Sequence, residues 1–311
     1  MLRIGLVGAV ESTAAALEAL AGAGHAPVIL LTLPLEKQAR HSDFVDLAPL
    51  AHAVGTHVER VQDVNDDAVL ALLATLDLDL LMVVGWSRIC GPEFRRAARL
   101  GAIGYHPTLL PSMRGRAALA WTILRDVRRT GGSLFWLDEG VDSGDIAAQE
   151  AFDLSGAETL RQLYDRHLDA LRTMAAGLAA KLAAGERPAA PQRHEYATYL
   201  AVRRAEDGAI DWERPAPEIE RLTRAVSHPY PGAFTWWRGR KLIIWAARVA
   251  HYPQWAAQTG QVFTYEGEAP VARCGGDTDL VLSDYQLVDG ETGDPLPDAR
   301  ISGQPRLGAR A

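Results

Sequence analysis

Apolar and polar positions alternate along the first half of the chain in blocks of two lengths. Short apolar runs at Leu2–Gly8, Pro27–Thr32, His57–Val61 and Asp79–Gly85 read as strands. Between them lie an Ala/Leu-rich stretch reaching about Ala23 with Ser12 or Thr13 as its cap, an apolar-periodic stretch Phe44–Val54, and one through Leu76 opened by Asn65 or Asp66. The polar segment Pro34–Asp46 reads as a loop. The alternation continues with a helix over Pro92–Leu100, a strand over Ala102–Tyr105, a helix over Ala117–Arg125, a strand ending at Leu137 and a long amphipathic helix over Ala157–Ala184. Strand–helix alternation of this kind predicts an α/β domain: a Rossmann-like, mainly parallel sheet with helices on both faces.

After Ala184 the pattern changes. Two prolines in the polar stretch Gly185–Ala190 suggest a linker, placed at 185–204 between a first domain, 1–184, and a second, 205–311. In the second, Phe234–Trp237 and Lys241–Val249 read as a hairpin across Arg238-Gly239. Short strands follow to Ser302, punctuated at Gly260, Gly267, Gly275-Gly276 and Gly290, which predicts a small OB-like β-barrel. Trp236, Trp237 and Trp245 would suit base stacking, but residues 205–311 carry 11 Lys/Arg against 15 Asp/Glu, a net of −4. Nucleic-acid binding calls for the opposite sign, so packing is the better reading of most of these tryptophans and no nucleic-acid partner is expected.

Composition adds exclusions. The 311 residues are 48% hydrophobic and 23% charged, with a formal net charge of −7. Cys90 and Cys274 are far apart and make no metal-ligand spacing, so no metal is expected. The opening Leu-Arg-Ile-Gly-Leu-Val-Gly lacks the form of a signal peptide, and Leu76–Gly85 is too short to span a bilayer, which makes a cytoplasmic location the expectation. Gly5-x-x-Gly8 is not a Gly-x-Gly-x-x-Gly fingerprint, so a nicotinamide dinucleotide site is poorly supported. The oligomeric state, a homodimer included, stays open.

The chemistry concentrates between Gly104 and Asp145. His106 ends an apolar run and is followed at once by Pro107, which cannot donate to a sheet ladder, so the imidazole sits at a strand's mouth. Asp142 lies in a Gly/Asp-rich loop after the apolar run Ser133–Leu137. Two strand ends at the carboxyl edge of a parallel sheet can meet across a ligand crevice. Taken singly, His106 reads more readily as a structural hydrogen-bonder and Asp142 as turn chemistry. The joint pattern is what points to catalysis.

That pattern, His106, Leu109–Pro111, Arg114-Gly115 and Asp142-Ser-Gly144, resembles the folate-dependent formyltransferases, whose donor is 10-formyltetrahydrofolate. The resemblance runs through nearly the whole chain. The segments Asp207-Gly-Ala-Ile-Asp-Trp212 and Tyr230-Pro-Gly-Ala-Phe234 are similar to members that act on nucleotide-linked amino sugars. It implies that His106 and Asp142 are catalytic. It places Trp86, Ser87, Arg88 and Ile89 at the pterin, adds Leu109 and Asp138 to the folate side, and gives Arg114, Arg116 and Tyr105 to the acceptor. It implies a small-molecule amine as the acceptor, a nucleotide-linked amino sugar first, with an amino acid, a hydroxylated diamine or methionyl-tRNA as alternatives.

One position departs from the family: two residues before the His, where an Asn is taken to hold the formyl oxygen, stands Gly104. Losing such a donor costs about 10²–10³ in turnover. Alternation along the strand puts Gly104 on the face of His106 and turns Tyr105 away, so Gly104 predicts a gap beside the imidazole. The gap would take a larger substrate, a water or another donor. Asn65, the only asparagine in the chain, is the candidate stand-in, with Ser133 and Thr108 after it. Hydrolysis of 10-formyltetrahydrofolate and binding without catalysis are the remaining readings.

Overall fold

The computed structural model describes residues 1–40, 43–297 and 299–308. It divides into two compact units. The first is built on a seven-stranded sheet. Its strands are β1 (Ile4–Val7), β2 (Ile29–Thr32), β3 (His57–Arg60), β4 (Leu80–Val83) and β5 (Ala102–His106), then, beyond the two-residue β6 (Arg114–Gly115), β7 (Arg129–Trp136) and β8 (Ile146–Asp153). The order is β3-β2-β1-β4-β5-β7-β8. The first five run parallel, whereas β7 pairs antiparallel with β5 and β8 antiparallel with β7. Strands β1, β2 and β4 are buried throughout, as a parallel sheet covered on both faces requires.

Side-chain alternation sends successive strand residues into two cores. Ile4, Leu6, Leu30, Leu80 and Met82 pack with Leu17 and Leu20 of helix α1 (Glu11–Gly22). Val7, Ile29, Leu31, Leu81 and Val83 pack on the opposite face with Val69, Leu73 and Phe94. Those three come from α3 (Asp67–Ala74) and α4 (Pro92–Arg95), which follow α2 (Ala48–Ala53). After the short α5 (Ala118–Leu124), the helix α6 (Leu160–Ala183) sends Leu171, Met174, Ala175, Leu178, Ala179 and Leu182 into the first core at spacings of three and four. Each such leucine contributes roughly 1.5–3 kcal/mol of burial.

Several boundaries differ from expectation. The helix predicted over Pro92–Leu100 is a single turn, because the N–H groups of Arg99 and Leu100 donate to the carbonyls of Leu78 and Asp79 instead of back along a helix. The one predicted over Phe44–Val54 begins only at Ala48, since Phe44 bridges Val10. Within the predicted loop Pro34–Asp46, Leu35–Arg40 is a 3₁₀ turn, and His41 and Ser42 lie outside the described residues.

The linker is also corrected. Residues 185–202 belong to the first unit: Ala190 bridges Ile146, Pro188 accepts from the Trp136 indole, and β9 (Tyr199–Leu200) pairs with β6.

The second unit joins residues 203–311 to two stretches of the first half, 119–127 and 155–163. Its antiparallel sheet has β10 (Ala233–Trp237), β11 (Arg240–Ala250), β12 (Val262–Glu266), β13 (Ala269–Cys274) and β14 (Thr278–Val288) in the order β10-β11-β14-β13-β12. The predicted hairpin turns at Arg238 and Gly239, both at positive φ. A bulge at Ala246 bends the long strand β11. The tail segment carries the curl towards a barrel: Gly308 bridges Trp236 in β10, while Leu307 donates to Gly260 just before β12. Trp237 fills the core with Trp212, Ile244 and Leu282, and helix α7 (Ala216–Val226) covers it through Ile219. Among the described residues no helix is long and apolar enough to cross a membrane.

Candidate active site

In open α/β sheets the crevice at the strand-order reversal, here between β1 and β4, is the usual ligand position. In this chain packing closes it. A Cβ added to Gly8 would lie 1.9 Å from the Val84 carbonyl, and one added to Gly85 would lie 2.1 Å from Val10. Thr13 seals the gap, its hydroxyl donating to Val84 O at 2.7 Å. The free carboxyl edge is therefore the end of β5, where the sheet changes from parallel to antiparallel.

His106 is the last residue of β5 and is 5% exposed. Its Nε2 lies 2.7 Å from the carbonyl of Met113, and since a carbonyl only accepts, that nitrogen carries a proton. Its Nδ1 faces Oδ2 of Asp142 at 3.5 Å. Both ring nitrogens thus face acceptor oxygens, an arrangement that an imidazolium satisfies on both sides. Asp142 sits at φ 50°, the left-handed region, and its Oδ2 also accepts the Gly115 N–H at 2.8 Å. The structure therefore brings together the two groups on which the sequence reading rests.

The gap at Gly104 is absent. Gly104 pairs across the ladder with Phe135, and a Cβ added to it would lie 2.8 Å from Leu137 Cδ2 and 3.1 Å from two atoms of the Phe135 ring. Apolar side chains occupy the space an amide would need. The stand-in donors are engaged elsewhere. Asn65 Oδ1 accepts from Gly91 N at 2.6 Å, and its Nδ2 donates to Ile89 O at 2.9 Å and to Asp63 at 2.8 Å. Asn65 braces the loop after β4, which corrects its assignment as the catalytic amide. Ser133 donates to the Thr108 carbonyl and Thr108 to that of Ser112, so both staple the 108–112 loop.

That braced loop carries the four predicted pterin residues. Arg88 is tied to Asp63 at 3.0 Å, and the Asn65 N–H, ahead of Arg88, holds the Asp63 carboxyl below its usual range. The Ser87 carbonyl accepts from Arg116. Ile89 is 85% exposed. Trp86 packs against the sheet core with its Nε1 buried and without a hydrogen-bond partner. Burial pushes the nearby Cys90 thiol up to about 12, so it is inert as a nucleophile. Leu109 is half-buried, and Asp138 is exposed, tying its own turn through Gly140 N and Ser143 Oγ.

Two acceptor-side assignments are corrected. Arg114 is 1% exposed and turned inward, donating to Gln192 Oε1 at 2.7 Å and Tyr199 Oη at 3.2 Å and lying 3.1 Å from His194 Nδ1. It cannot grip a substrate from there. Tyr105, pointing to the far face as strand alternation demands, bonds His167 Nδ1 at 3.1 Å. Burial pushes its phenol up, and burial with the positive charges of His106 and Arg166 holds His167 down at about 3. Arg116 is exposed and donates to the Ser87 carbonyl. Nothing in the residue pattern pointed to Gln192, buried in what read as a linker, or to Phe135 as the filler opposite Gly104. Among the described residues no group of three His, Cys, Asp or Glu side chains is placed to hold a metal.

Residues 14–175 match the family described as formyl transferase, and residues 203–295 match the formyl transferase C-terminal domain. The chain belongs to the formyl transferase family. Methionyl-tRNA formyltransferase of Anaeromyxobacter dehalogenans (strain 2CP-C) is 34% identical over 290 residues, covering 92% of each chain. Among solved structures, the N-formyltransferase from Helicobacter canadensis in complex with folinic acid and dTDP-3-aminofucose shares the fold with a TM-score of 0.67 and 14% identity, over 91% of this chain and 99% of that one. HypX from Aquifex aeolicus in complex with tetrahydrofolic acid does so with a TM-score of 0.65 and 16% identity, over 98% of this chain and 50% of that one.

Proposed function

We propose that this chain transfers a formyl group from 10-formyltetrahydrofolate to a primary amine, with His106 and Asp142 as its catalytic residues. The observation that carries the reading is the 3.5 Å approach of the two side chains at the carboxyl end of β5. Family membership supplies the reaction class. The donor side is supported by the loop after β4, where exposed Ile89 offers an apolar surface suited to a flat heterocycle.

The amine nitrogen attacks the formyl carbon and the carbonyl electrons move onto oxygen. Asp142 takes the proton from the attacking nitrogen, directly or through a water. The His106 Nδ1–H then protonates N10 as the carbon–N10 bond breaks and the carbonyl re-forms, leaving the N-formylated amine and tetrahydrofolate. With Phe135 and Leu137 in the place of an amide, His106 is assigned the further role of hydrogen-bond donor to the developing oxyanion.

For the acceptor, a small amine such as a nucleotide-linked amino sugar is the first reading. It is supported by the net −4 of residues 205–311 and by exposed Arg116. Methionyl-tRNA is the second, favoured by the relative's name at 34% identity over 92% of the chain. Incubation with 10-formyltetrahydrofolate and each acceptor in turn, following tetrahydrofolate release, separates them. Release without any amine would mean hydrolysis, and donor binding without release would mean a non-catalytic homologue.

A further inference from the structure

We infer that Gln192 is a positioning residue for this reaction, holding Asp142 in the conformation that faces His106; the inference rests on the role proposed for that pair. Gln192 is 5% exposed and uses both ends of its amide. Its Nε2 donates to the carbonyl of Asp142 at 2.9 Å and to that of Gly144 at 2.6 Å. Its Oε1 accepts from the buried Arg114 at 2.7 Å. The residue after Arg114, Gly115, holds the Asp142 carboxylate itself at 2.8 Å. Backbone and side chain of Asp142 are thus clamped from one short stretch, the backbone through Gln192 and the carboxylate directly.

The clamp has a conformation to maintain. Asp142 stands at φ 50°, where a non-glycine residue is disfavoured and relaxes unless its surroundings hold it. The next turn is tight too: a Cβ added to Gly144 would lie 1.8 Å from the Trp136 carbonyl. Two donated hydrogen bonds into carbonyls 142 and 144 fix the peptide planes that follow Asp142 and Gly144. Without them the loop can relax, carrying Oδ2 away from a ring that is fixed on its other side by Met113. A displacement of about 1 Å at a reacting group costs on the order of 10²-fold in rate.

The test is Gln192→Glu. A carboxylate keeps, and by charge strengthens, the bond from Arg114, but it cannot donate to two carbonyls. Were Gln192 merely a partner for the buried guanidinium, this variant would be at least as stable as the parent and fully active. The positioning role predicts a Tm no higher than the parent's, because two carbonyls lose their donor and face a carboxylate oxygen, with kcat lower by about 10²-fold and an unaltered donor KM. In an Asp142→Asn background it predicts no further loss from the second change, because one group acts through the other. A crystal structure of Gln192→Glu reads the same point without turnover: Asp142 Oδ2 should lie farther from His106 Nδ1 than the present 3.5 Å. An unchanged separation or full activity overturns the inference. A parent protein that releases no tetrahydrofolate overturns the proposed function instead, and the crystal structure still decides the clamp.

Discussion

His106 and Asp142 stand 36 positions apart in the chain, yet Nδ1 of one lies 3.5 Å from Oδ2 of the other. Neither is held by the other alone. The Met113 carbonyl fixes the ring, and the Gly115 N–H fixes the carboxylate, so the pair is organised by two loop residues separated only by Arg114.

Restoring the missing amide does not by itself restore its function. Gly104→Asn would press on Phe135 and Leu137, and overpacking of this kind costs about 1–3 kcal/mol. A lower Tm with no gain in kcat is expected. Pairing it with Phe135→Val makes room, and the double variant should turn over faster than either single one. A rise in kcat from Gly104→Asn alone would show that the space is open.

Asn65→Ala separates a brace from a catalyst. The amide holds Gly91 and Ile89 in the loop after β4. Losing two such hydrogen bonds should raise the donor KM roughly tenfold and leave kcat nearly unchanged. An oxyanion donor would give the opposite split, with kcat down about 10²–10³.

The two arginines of the 114–116 loop should behave differently. Arg114→Ala empties a buried position and leaves Gln192 Oε1 without its donor, which should cost about 2 kcal/mol or more in urea unfolding. Arg116→Ala, at an exposed residue, should leave stability within about 0.5 kcal/mol and show itself in KM.

His167 gives the first unit a pH dependence. Burial, aided by the charges of His106 and Arg166, holds its pKa at about 3, below its usual value of 6.5, so the fold favours the neutral ring. Its contribution is complete above 6.5 and is lost as pH falls from 6.5 towards about 3, because the unfolded chain takes up a proton that the folded one refuses. Urea midpoints measured from pH 7 down to 4.5 should fall more steeply for the parent than for His167→Phe. Parallel curves would contradict this.

The parallel sheet was legible because fully apolar runs such as Leu80–Val83 alternate with helical stretches, and the hairpin at Arg238-Gly239 because its turn chemistry is local. His106 and Asp142 were legible only as a pair, through their joint pattern with Leu109–Pro111 and Arg114-Gly115, since each alone reads as an ordinary strand end or turn. What escaped depends on contacts distant in sequence. Gly104 looked like a vacancy because nothing nearby reveals that Phe135 lies opposite it. Arg114 looked like an acceptor-side residue because its burial depends on Gln192 and Tyr199, which the proline-bearing stretch disguised as a spacer. Tyr105 was assigned to the acceptor although its own strand alternation already turned it towards His167.

The central claim is that one imidazole and one carboxylate together move the formyl group. Single-turnover release of tetrahydrofolate from 10-formyltetrahydrofolate, in the presence of an accepted amine, should be compared for the parent, His106→Asn, Asp142→Asn and the double variant. The account predicts that each single change lowers the rate by at least about 10²-fold, donor binding by fluorescence is kept, and the double variant is hardly slower than either single one. Transfer at the parent rate by Asp142→Asn would contradict it.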